Sequence, residues 1–351
     1  MVYFDNNATA QLLPEVQNKL IEFITSNQTL NASATHDLGR KAKSMIEVAR
    51  LQILSKITKQ GYKLIFAPSA TIANNQILKN FQNIIVGATE HSSVLKNQSN
   101  IVKVDCNGII DEDYLIHLIS NIKQPFLVSI AHANNETGVV QDIQKIANLV
   151  HKYGGLLHSD IVQSFGKIII NIDSLNADYY TIASHKIGGP LGSAAILYKK
   201  NMRSFLSGGG QEFGLFPGTE NLLSITGFAE AVNTLDIEKY SKNVLPIRDF
   251  IEKDIEKHGG IVITKNVYRL PNTVMIAKPG VSNKSQLIAL DMQGFAVSIG
   301  SACSSGSVKE SATLNAMKLP SDIIQSAIRI SLGPQNTKTE ADMFIKAWIN
   351  L

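Results

Sequence analysis

A lysine and an aspartate stand at the ends of two predicted strands, where together they could hold a pyridine-type cofactor. Asp160 ends the apolar run 155–161, and Lys186 follows the run 178–184 by two residues. Ligands of α/β sheets bind along the carboxyl edge of the strands, where both side chains are expected to lie. A carboxylate there can hold a protonated ring nitrogen, and a lysine amine can form a Schiff base. This pair is what pyridoxal 5′-phosphate (PLP) requires.

A phosphate site is predicted where the run 61–67 gives way to a helical pattern over 71–81. The stretch FAPSATIANN places small residues at this junction. The amides of Ala70 and Thr71, with the Thr71 hydroxyl, would face an anion at the helix N-terminus. The same Ser-Ala-Thr sequence is equally consistent with an ordinary helix cap that binds nothing.

His91 and Asn135 follow two further predicted strands, over 82–88 and 124–133. A lone histidine is usually a satisfied polar residue, but His91 at a strand end could stack on a flat ring and carry protons. Asn135 could donate a hydrogen bond to a ring hydroxyl or to a substrate carboxylate. Four strand ends with compatible chemistry support the prediction better than any one of them does.

One of the two cysteines occupies a stretch that cannot form a core. Cys303 lies in SIGSACSSGSVK, residues 298–309, among serines and glycines. A buried thiol normally sits among aliphatic side chains. Small polar neighbours suit an exposed, reactive thiol instead. Cys106, in VKVDCNGII, has no such setting, and we interpret it as structural.

Composition limits the classes to which the chain can belong. The 351 residues, 44% of them hydrophobic and 18% charged, are typical of a globular protein with more than one domain. The net charge of +4 comes without a Lys/Arg block, so we expect no nucleic-acid partner. Two cysteines provide neither metal-ligand spacing nor a disulfide framework, which favours a reducing compartment. Since no signal peptide and no 18-residue apolar run is found, we expect a cytoplasmic protein that does not bind membranes.

Short apolar runs alternate with helical patterns over the first two thirds of the chain. The predicted strands are 61–67, 82–88, 124–133, 155–161, 178–184 and 194–199, with helices over 71–81 and 140–154. Apolar strands of this kind favour an α/β fold with a mainly parallel sheet that helices cover on both faces. After about residue 230, a long helix near 236–258 is followed by the strands NTVMIA and GFAVSIG and by helices near 309–317 and 321–328. We expect a large domain over 12–232 and a smaller α+β domain formed by 1–11 and 233–351.

These motifs together resemble those of the cysteine desulfurases, PLP enzymes of the class V aminotransferase family. The resemblance rests on YFDNNATA, NASATHDLG, TEHSSV, HANNETGVVQDI, HSDIVQSFGK, SHKIGGP, GGGQE, GTEN, GSACSSG and IRISLG, in this order from residue 3 to residue 333. It implies the PLP-dependent transferase fold type I. It also implies conversion of L-cysteine to L-alanine, with the sulfur passing through a persulfide to an acceptor or an iron–sulfur scaffold protein. Members of the family are expected to be homodimers.

The resemblance implies a role for each candidate residue. Lys186 would bind PLP as a Schiff base and move a proton, Cys303 would attack the substrate sulfur, and His91 would stack on the ring. Asp160 would bind the ring nitrogen, and Gln163 and Asn135 would bind the ring oxygen. Asn135 and Arg329 would bind the substrate. The residues around the phosphate would be Ala70, Thr71, Ser184 and His185, together with Thr219 of the partner subunit.

Four positions depart from the family's pattern. Ile72 and Ala183 replace polar residues, and Phe213 and Phe216 stand where arginines are usual. Three interpretations follow: an active cysteine desulfurase that serves iron–sulfur cluster or thio-cofactor synthesis, a selenocysteine lyase or other class V PLP enzyme, and a sulfur-handling homologue with weakened catalysis. The intact lysine and loop cysteine favour the first, and a transaminase would not need Cys303.

Overall fold

The structure is a computed structural model that describes residues 1–59, 61–96, 98–300 and 310–351. The strands of these residues are β1 (Val2–Tyr3), β2 (Lys63–Ala67), β3 (Asn83–Gly87), β4 (Asn100–Val102), β5 (Phe126–Ser129), β6 (Leu156–Asp160), β7 (Tyr179–Ala183), β8 (Ala194–Tyr198), β9 (Ile261–Ile263), β10 (Thr273–Ala277), β11 (Phe295–Ala296) and β12 (Ala327–Ser331).

The helices of the described residues alternate with these strands. They are α1 (Pro14–Thr25), α2 (Asp37–Ile57), α3 (Ala70–Leu78), α4 (Ser92–Leu95), α5 (Glu112–Asn121), α6 (Ile143–Lys152), α7 (Ile172–Leu175), α8 (Leu222–Asn233), α9 (Ile237–Lys257), α10 (Asn283–Met292), α11 (Ala312–Ala316), α12 (Ser321–Ser326) and α13 (Lys338–Ile349), with 3₁₀ turns at Ser184–Lys186 and Gln211–Gly214. Among these helices, none is both long enough and apolar enough to cross a membrane.

Seven strands form the central sheet, in the order β2-β8-β7-β6-β5-β3-β4. The pairs β3–β4, β3–β5, β5–β6 and β6–β7 are parallel, whereas β8 runs antiparallel to both β7 and β2. Every residue of β5, β7 and β8 is buried, because helices cover both faces of the sheet. The predicted α/β class with a mainly parallel sheet is therefore confirmed, and the parallel strands end at one common edge.

Local sequence explains where the helices next to this edge begin and end. The Ser69 hydroxyl accepts from the Ile72 amide at the start of α3, as the predicted cap requires. At α6, Asp142 caps the first turn by accepting from the Lys145 amide. The helix stops before Gly154, whose φ of 77° is readily adopted by glycine.

A second, smaller sheet lies in the C-terminal part of the chain. It has the order β12-β10-β9 and is antiparallel, while β1 pairs in parallel with β11. Of the predicted strand GFAVSIG, Phe295–Ala296 is regular, and Ser298 forms an isolated bridge with Arg329. One hydrophobic cluster joins Phe4 to side chains between residues 244 and 348, apart from the larger cluster around the central sheet. The larger cluster also includes Ile263, Met275, Ala277 and four side chains between residues 314 and 327, so the division into 12–232 and 1–11 with 233–351 stays a prediction.

Candidate active site

Five strands deliver candidate side chains to one edge of the central sheet. The antiparallel β8 lies between β7 and β2, so β2 runs in the same direction as the parallel strands. The residues that follow the carboxyl ends of these strands are Ala70 and Thr71 after β2, His91 after β3, Asn135 after β5, Asp160 at the end of β6, and Lys186 after β7.

Asn74 connects the carboxylate at this edge with the histidine. Its side-chain amide donates to Asp160 Oδ2 at 2.9 Å and to Ser93 Oγ at 3.0 Å. Ser93 Oγ in turn lies 2.8 Å from His91 Nδ1. The Val162 amide donates to Asp160 Oδ1 at 2.9 Å, so both carboxylate oxygens are fixed as acceptors. The Asp160 side chain therefore has a defined orientation, suited to hold a protonated ring nitrogen.

The same network selects the tautomer of His91. The backbone amide of Ser93 donates to His91 Nδ1 at 3.2 Å, so this nitrogen carries a lone pair. A neutral ring then carries its proton on Nε2. His91 thus has a fixed ring plane and a defined N–H, as a residue that stacks on a cofactor and exchanges protons requires.

A histidine within the sheet supports the strand that carries Asp160. His158 Nδ1 lies 2.8 Å from Ser129 Oγ, and its Nε2 lies 3.1 Å from Thr181 Oγ1. Burial lowers the pKa of His158 to about 4. A neutral ring therefore links the side chains of β5, β6 and β7 just below the candidate site.

Asn7 ties the lysine to the other candidate residues. Its backbone carbonyl accepts from Lys186 Nζ at 2.7 Å and from Gln163 Nε2 at 3.0 Å. Its side-chain amide donates to the Asn135 carbonyl at 3.1 Å. Lys186 Nζ also donates to the Ala8 carbonyl at 2.7 Å. The N-terminal segment therefore crosses the sheet edge and gathers residues from three strands.

Arg329, on β12, reaches the same place from the smaller sheet. It is 3% exposed. Its Nη1 donates to the Asn135 carbonyl at 2.9 Å, and its Nη2 donates to Asp5 Oδ1 at 2.5 Å. Its Nε is buried and has no hydrogen-bond partner in the described part of the chain. An unpaired buried donor is costly, so this N–H marks a position where a ligand oxygen is expected.

His185 is held neutral beside Lys186. Burial lowers the pKa of His185 to about 4, and the charges of Lys186 and Lys167 add to the effect. Its Nδ1 lies 3.3 Å from Thr9 Oγ1. A neutral imidazole can exchange hydrogen bonds with a phosphate without adding a full charge next to the lysine.

The start of α3 carries the predicted anion site. The amides of Ala70 and Thr71 belong to the first turn and have no helical acceptor. Thr71 is exposed and Ala70 is half-buried, so a ligand can reach both. Ile72, one of the departures from the family's pattern, is half-buried and packs against the cluster that contains Ala73 and Ile77.

Two of the predicted residues that the structure describes are not joined to these networks. Ser184 Oγ is buried without a partner among the described residues and packs against Gly189. Thr219 is exposed and makes no hydrogen bond within the described part of the chain. Cys303 lies outside the described residues. Cys106 is exposed, so its thiol does not belong to the core.

The turn that carries two further departures is rich in aromatic contacts. Phe216 is buried in the cluster around β2 and α3, whereas Phe213 is 66% exposed. The Arg50 guanidinium lies 5.0 Å from the Phe213 ring centroid and pairs with Glu212 at 2.8 Å. Arg50 is buried and also pairs with Glu47, so its guanidinium is neutralised and does not replace a surface arginine at position 213.

Four residues of the site were missed by the sequence analysis. They are Asp5, Asn7, Asn74 and Lys167. The first two lie in the motif YFDNNATA, and Lys167 ends the motif HSDIVQSFGK. Asn74 lies three residues after Thr71, which is one turn along α3 and on the same face of the helix. That spacing is a signal that would have identified it.

The chain is similar to known proteins over nearly its whole length. Residues 2–344 match the family model for aminotransferase class-V. The chain is 32% identical to a protein named cysteine desulfurase IscS from Dictyoglomus turgidum, over 97% of this chain and 91% of that protein. It is 33% identical to a cysteine desulfurase from Sinorhizobium fredii, over 98% of this chain and 95% of that protein. The X-ray structure of a NifS-like protein from Rickettsia africae matches with a TM-score of 0.91 and 36% identity, over 99% of this chain and 98% of that one.

Proposed function

Because the chain belongs to the class-V aminotransferases and, within them, to the cysteine desulfurases, we propose that it converts L-cysteine to L-alanine with PLP as its cofactor. The sulfur leaves as a persulfide on Cys303 and passes to an acceptor or scaffold protein of iron–sulfur cluster or thio-cofactor synthesis. The observation that carries this proposal is a pair of hydrogen-bond networks. One links Asp160 to His91 through Asn74 and Ser93. The other links Lys186 to Arg329 through Asn7 and Asn135.

The donors and acceptors of the site fit PLP. Asp160 is an oriented acceptor for the ring nitrogen, and Lys186 provides a primary amine. The amides of Ala70 and Thr71 at the N-terminus of α3 suit a phosphate. When bound, PLP acts as an electron sink for the bonds at the substrate Cα. The fold type I expected from the resemblance agrees with the NifS-like structures.

The chain's own residues bind the substrate and move its protons. Arg329 holds the carboxylate of L-cysteine, a task that suits the planar fork of a guanidinium. Lys186 takes the proton from the substrate Cα and returns it during formation of the product, as a general base and then a general acid. Asn7 and Ala8 fix the amine of Lys186 for this transfer by accepting its hydrogen bonds.

The sulfur moves to Cys303 by attack of a thiolate. The thiolate of Cys303 forms a bond with the substrate sulfur while the bond between that sulfur and the substrate Cβ breaks. The electron pair of the broken bond stays with the carbon fragment, which takes up a proton and leaves as alanine. A second thiol or a reductant then removes the outer sulfur from the persulfide.

Colour and sulfide release test this function together. Purified protein supplied with PLP is expected to be yellow and to release sulfide from L-cysteine in the presence of a reductant, with an equal amount of alanine. Absorption spectra and quantification of both products measure this. A protein that stays colourless after incubation with PLP contradicts the cofactor assignment. A yellow protein that forms no alanine from cysteine contradicts the reaction.

The enzyme is proposed to act as a homodimer in which Thr219 of the partner subunit completes the phosphate site. Apolar side chains are exposed on α1, on α2 and at the turn Gln211–Gly214; they include Ile24, Leu51 and Phe213. Such a surface marks an interface in a protein of this composition. Light scattering at micromolar concentration is expected to give twice the chain mass of 38.2 kDa. A particle of single-chain mass would contradict the dimer.

Removal of the guanidinium of Arg329 is expected to weaken cysteine binding. Arg329→Ala loses a charge-assisted pair with the substrate carboxylate, which is worth roughly 2–3 kcal/mol. We expect KM to rise by about 30- to 150-fold, with a smaller change in kcat, in steady-state measurements of alanine formation. Arg40→Ala, which changes an exposed arginine on α2, is the matched control and is expected to leave KM unchanged. An unaltered KM in Arg329→Ala would mean that the carboxylate binds elsewhere.

A further inference from the structure

A second lysine is buried inside the site, and the proposed reaction does not use it. Lys167 is 3% exposed. Its Nζ donates to Asn7 Oδ1 at 2.8 Å and to Gln163 Oε1 at 2.8 Å. It forms no ion pair within the described residues, and lysine is almost never fully buried without a charged partner. Such a placement is costly, which argues for a role in the site rather than in general packing.

Lys167 completes the hydrogen bonding of the residue that holds Lys186. Asn7 Oδ1 accepts from Lys167 and, at 3.2 Å, from Asn272 Nδ2. Asn7 Nδ2 donates to the Asn135 carbonyl at 3.1 Å and to Thr273 Oγ1 at 2.9 Å. Every polar atom of this side chain is therefore engaged, and its 1% exposure leaves no room for water to substitute. The Asn7 carbonyl, which accepts from Lys186, is fixed as a result.

Lys167 also fixes Gln163, which lies four residues before it in the sequence. Gln163 uses its Oε1 as the acceptor for Lys167 and its Nε2 as a donor to the Asn7 carbonyl at 3.0 Å. This defines which end of the amide is oxygen and which is nitrogen. The three side chains thus form a closed ring of hydrogen bonds with the Asn7 backbone, next to the amine of Lys186.

We propose that Lys167 is a positioning residue of the desulfurase reaction: through Asn7 and Gln163 it fixes the direction of the Lys186 amine. This inference rests on the proposed function, but the hydrogen bonds from which it is argued are present without the cofactor. Loss of Lys167 frees two acceptors, Asn7 Oδ1 and Gln163 Oε1, that together define where Lys186 points.

The charge state of Lys167 and the hydrogen bonds of Lys186 determine the sign of the effect. Burial lowers the pKa of Lys167 well below its ordinary value, and the nearby cations Lys186 and Arg329 lower it further. The effect on Lys186 is therefore derived from the hydrogen bonds of Lys167 and not from a positive charge at this position. Lys186 Nζ donates to the Asn7 carbonyl, and a fixed acceptor favours the protonated amine. Loss of Lys167, which frees Asn7, is therefore expected to lower the pH at which Lys186 loses its proton.

The test compares Lys167→Met with the wild-type chain and with Lys152→Met. Methionine has nearly the length of lysine and suits a buried position, so we expect the variant to fold, with a Tm lowered by the loss of two hydrogen bonds. Lys152 is exposed at the end of α6 and is the matched control. In each full-length protein, freed of PLP, acetylation of Lys186 by an N-hydroxysuccinimide ester is followed against pH by peptide mass spectrometry. In the proteins loaded with PLP, the visible absorption is titrated over the same range.

The proposal predicts a downward shift of the Lys186 labelling midpoint by about one pH unit in Lys167→Met and none in Lys152→Met. The absorption midpoint of the loaded protein is expected to move in the same direction. A folded Lys167→Met variant whose labelling midpoint equals that of the wild type overturns the proposal. If Lys167→Met does not fold, Asn7→Ser is the second variant. It removes the side-chain oxygen that accepts from Lys167, and it must shift the same labelling midpoint. A wild-type protein that binds no PLP refutes the proposed function alone, because the labelling experiment does not need the cofactor.

Discussion

Replacement of Lys186 by alanine is expected to lower the rate of alanine formation from L-cysteine at least about a thousandfold, within the range for a lost general acid–base residue. The reason is geometric: Lys186 is delivered by the end of β7, and its amine is fixed by the carbonyls of Asn7 and Ala8. No other amine of the described site has this position, since the amine of Lys167 is held by Asn7 Oδ1 and Gln163 Oε1. Product formation under saturating cysteine measures the effect.

The control for this variant is Lys253→Ala, which removes an exposed lysine from α9. It is expected to keep the wild-type rate and the wild-type absorption spectrum. Lys186→Ala is expected to retain its thermal stability, since the lysine is only half-buried, and to hold PLP without the spectrum of the covalently bound form. A rate within tenfold of the wild type in Lys186→Ala would show that another group moves the proton.

The sequence predicted the strand ends because their signal is local. The apolar run before Asp160 and the one before Lys186 each define a strand without reference to any other part of the chain. The rule that parallel strands share one carboxyl edge then places both residues together. In the structure, two bridging side chains, Asn74 and Ser93, link Asp160 to His91 at this edge.

The contacts that the sequence could not predict connect distant parts of the chain. Arg329 pairs with Asp5 across 324 positions, and Lys167 bonds to Asn7 across 160. Both depend on the N-terminal segment crossing from β1, beside β11, to the edge of the central sheet, and no local pattern encodes such a path. Side-chain types alone indicate that a lysine can donate a hydrogen bond to an asparagine, but they do not show that the two residues are neighbours in the fold.

The residues that depart from the family's pattern show a second limit of prediction from the sequence. The sequence shows only that a phenylalanine stands at position 213, where an arginine is usual. In the structure, the guanidinium of Arg50 lies over the Phe213 ring and pairs with Glu212. This contact joins α2 to the turn Gln211–Gly214, and it is visible only once two distant segments are packed together.

The second large effect is expected from Cys303→Ser, with Cys106→Ser as its matched control. A serine hydroxyl has nearly the size of a thiol, but it is not deprotonated at neutral pH and cannot form a bond to sulfur that a reductant reverses. Cys303→Ser is therefore expected to bind PLP with the wild-type spectrum and to yield no measurable sulfide or alanine. Cys106 is exposed on the turn between Asp105 and Gly108, so its replacement is expected to preserve activity.

The two cysteine variants separate cofactor binding from sulfur transfer because each replaces a sulfur atom by oxygen, at one of two positions in the chain. Incubation with ³⁵S-labelled cysteine, followed by non-reducing electrophoresis, is expected to label the wild type and Cys106→Ser and to leave Cys303→Ser unlabelled. Since the only other cysteine of the chain is Cys106, label on Cys303→Ser would identify Cys106 as the sulfur acceptor. Sulfide release by Cys303→Ser at the wild-type rate, with an intact PLP spectrum, would remove Cys303 from the reaction and leave direct release of sulfide as the chemistry of this site.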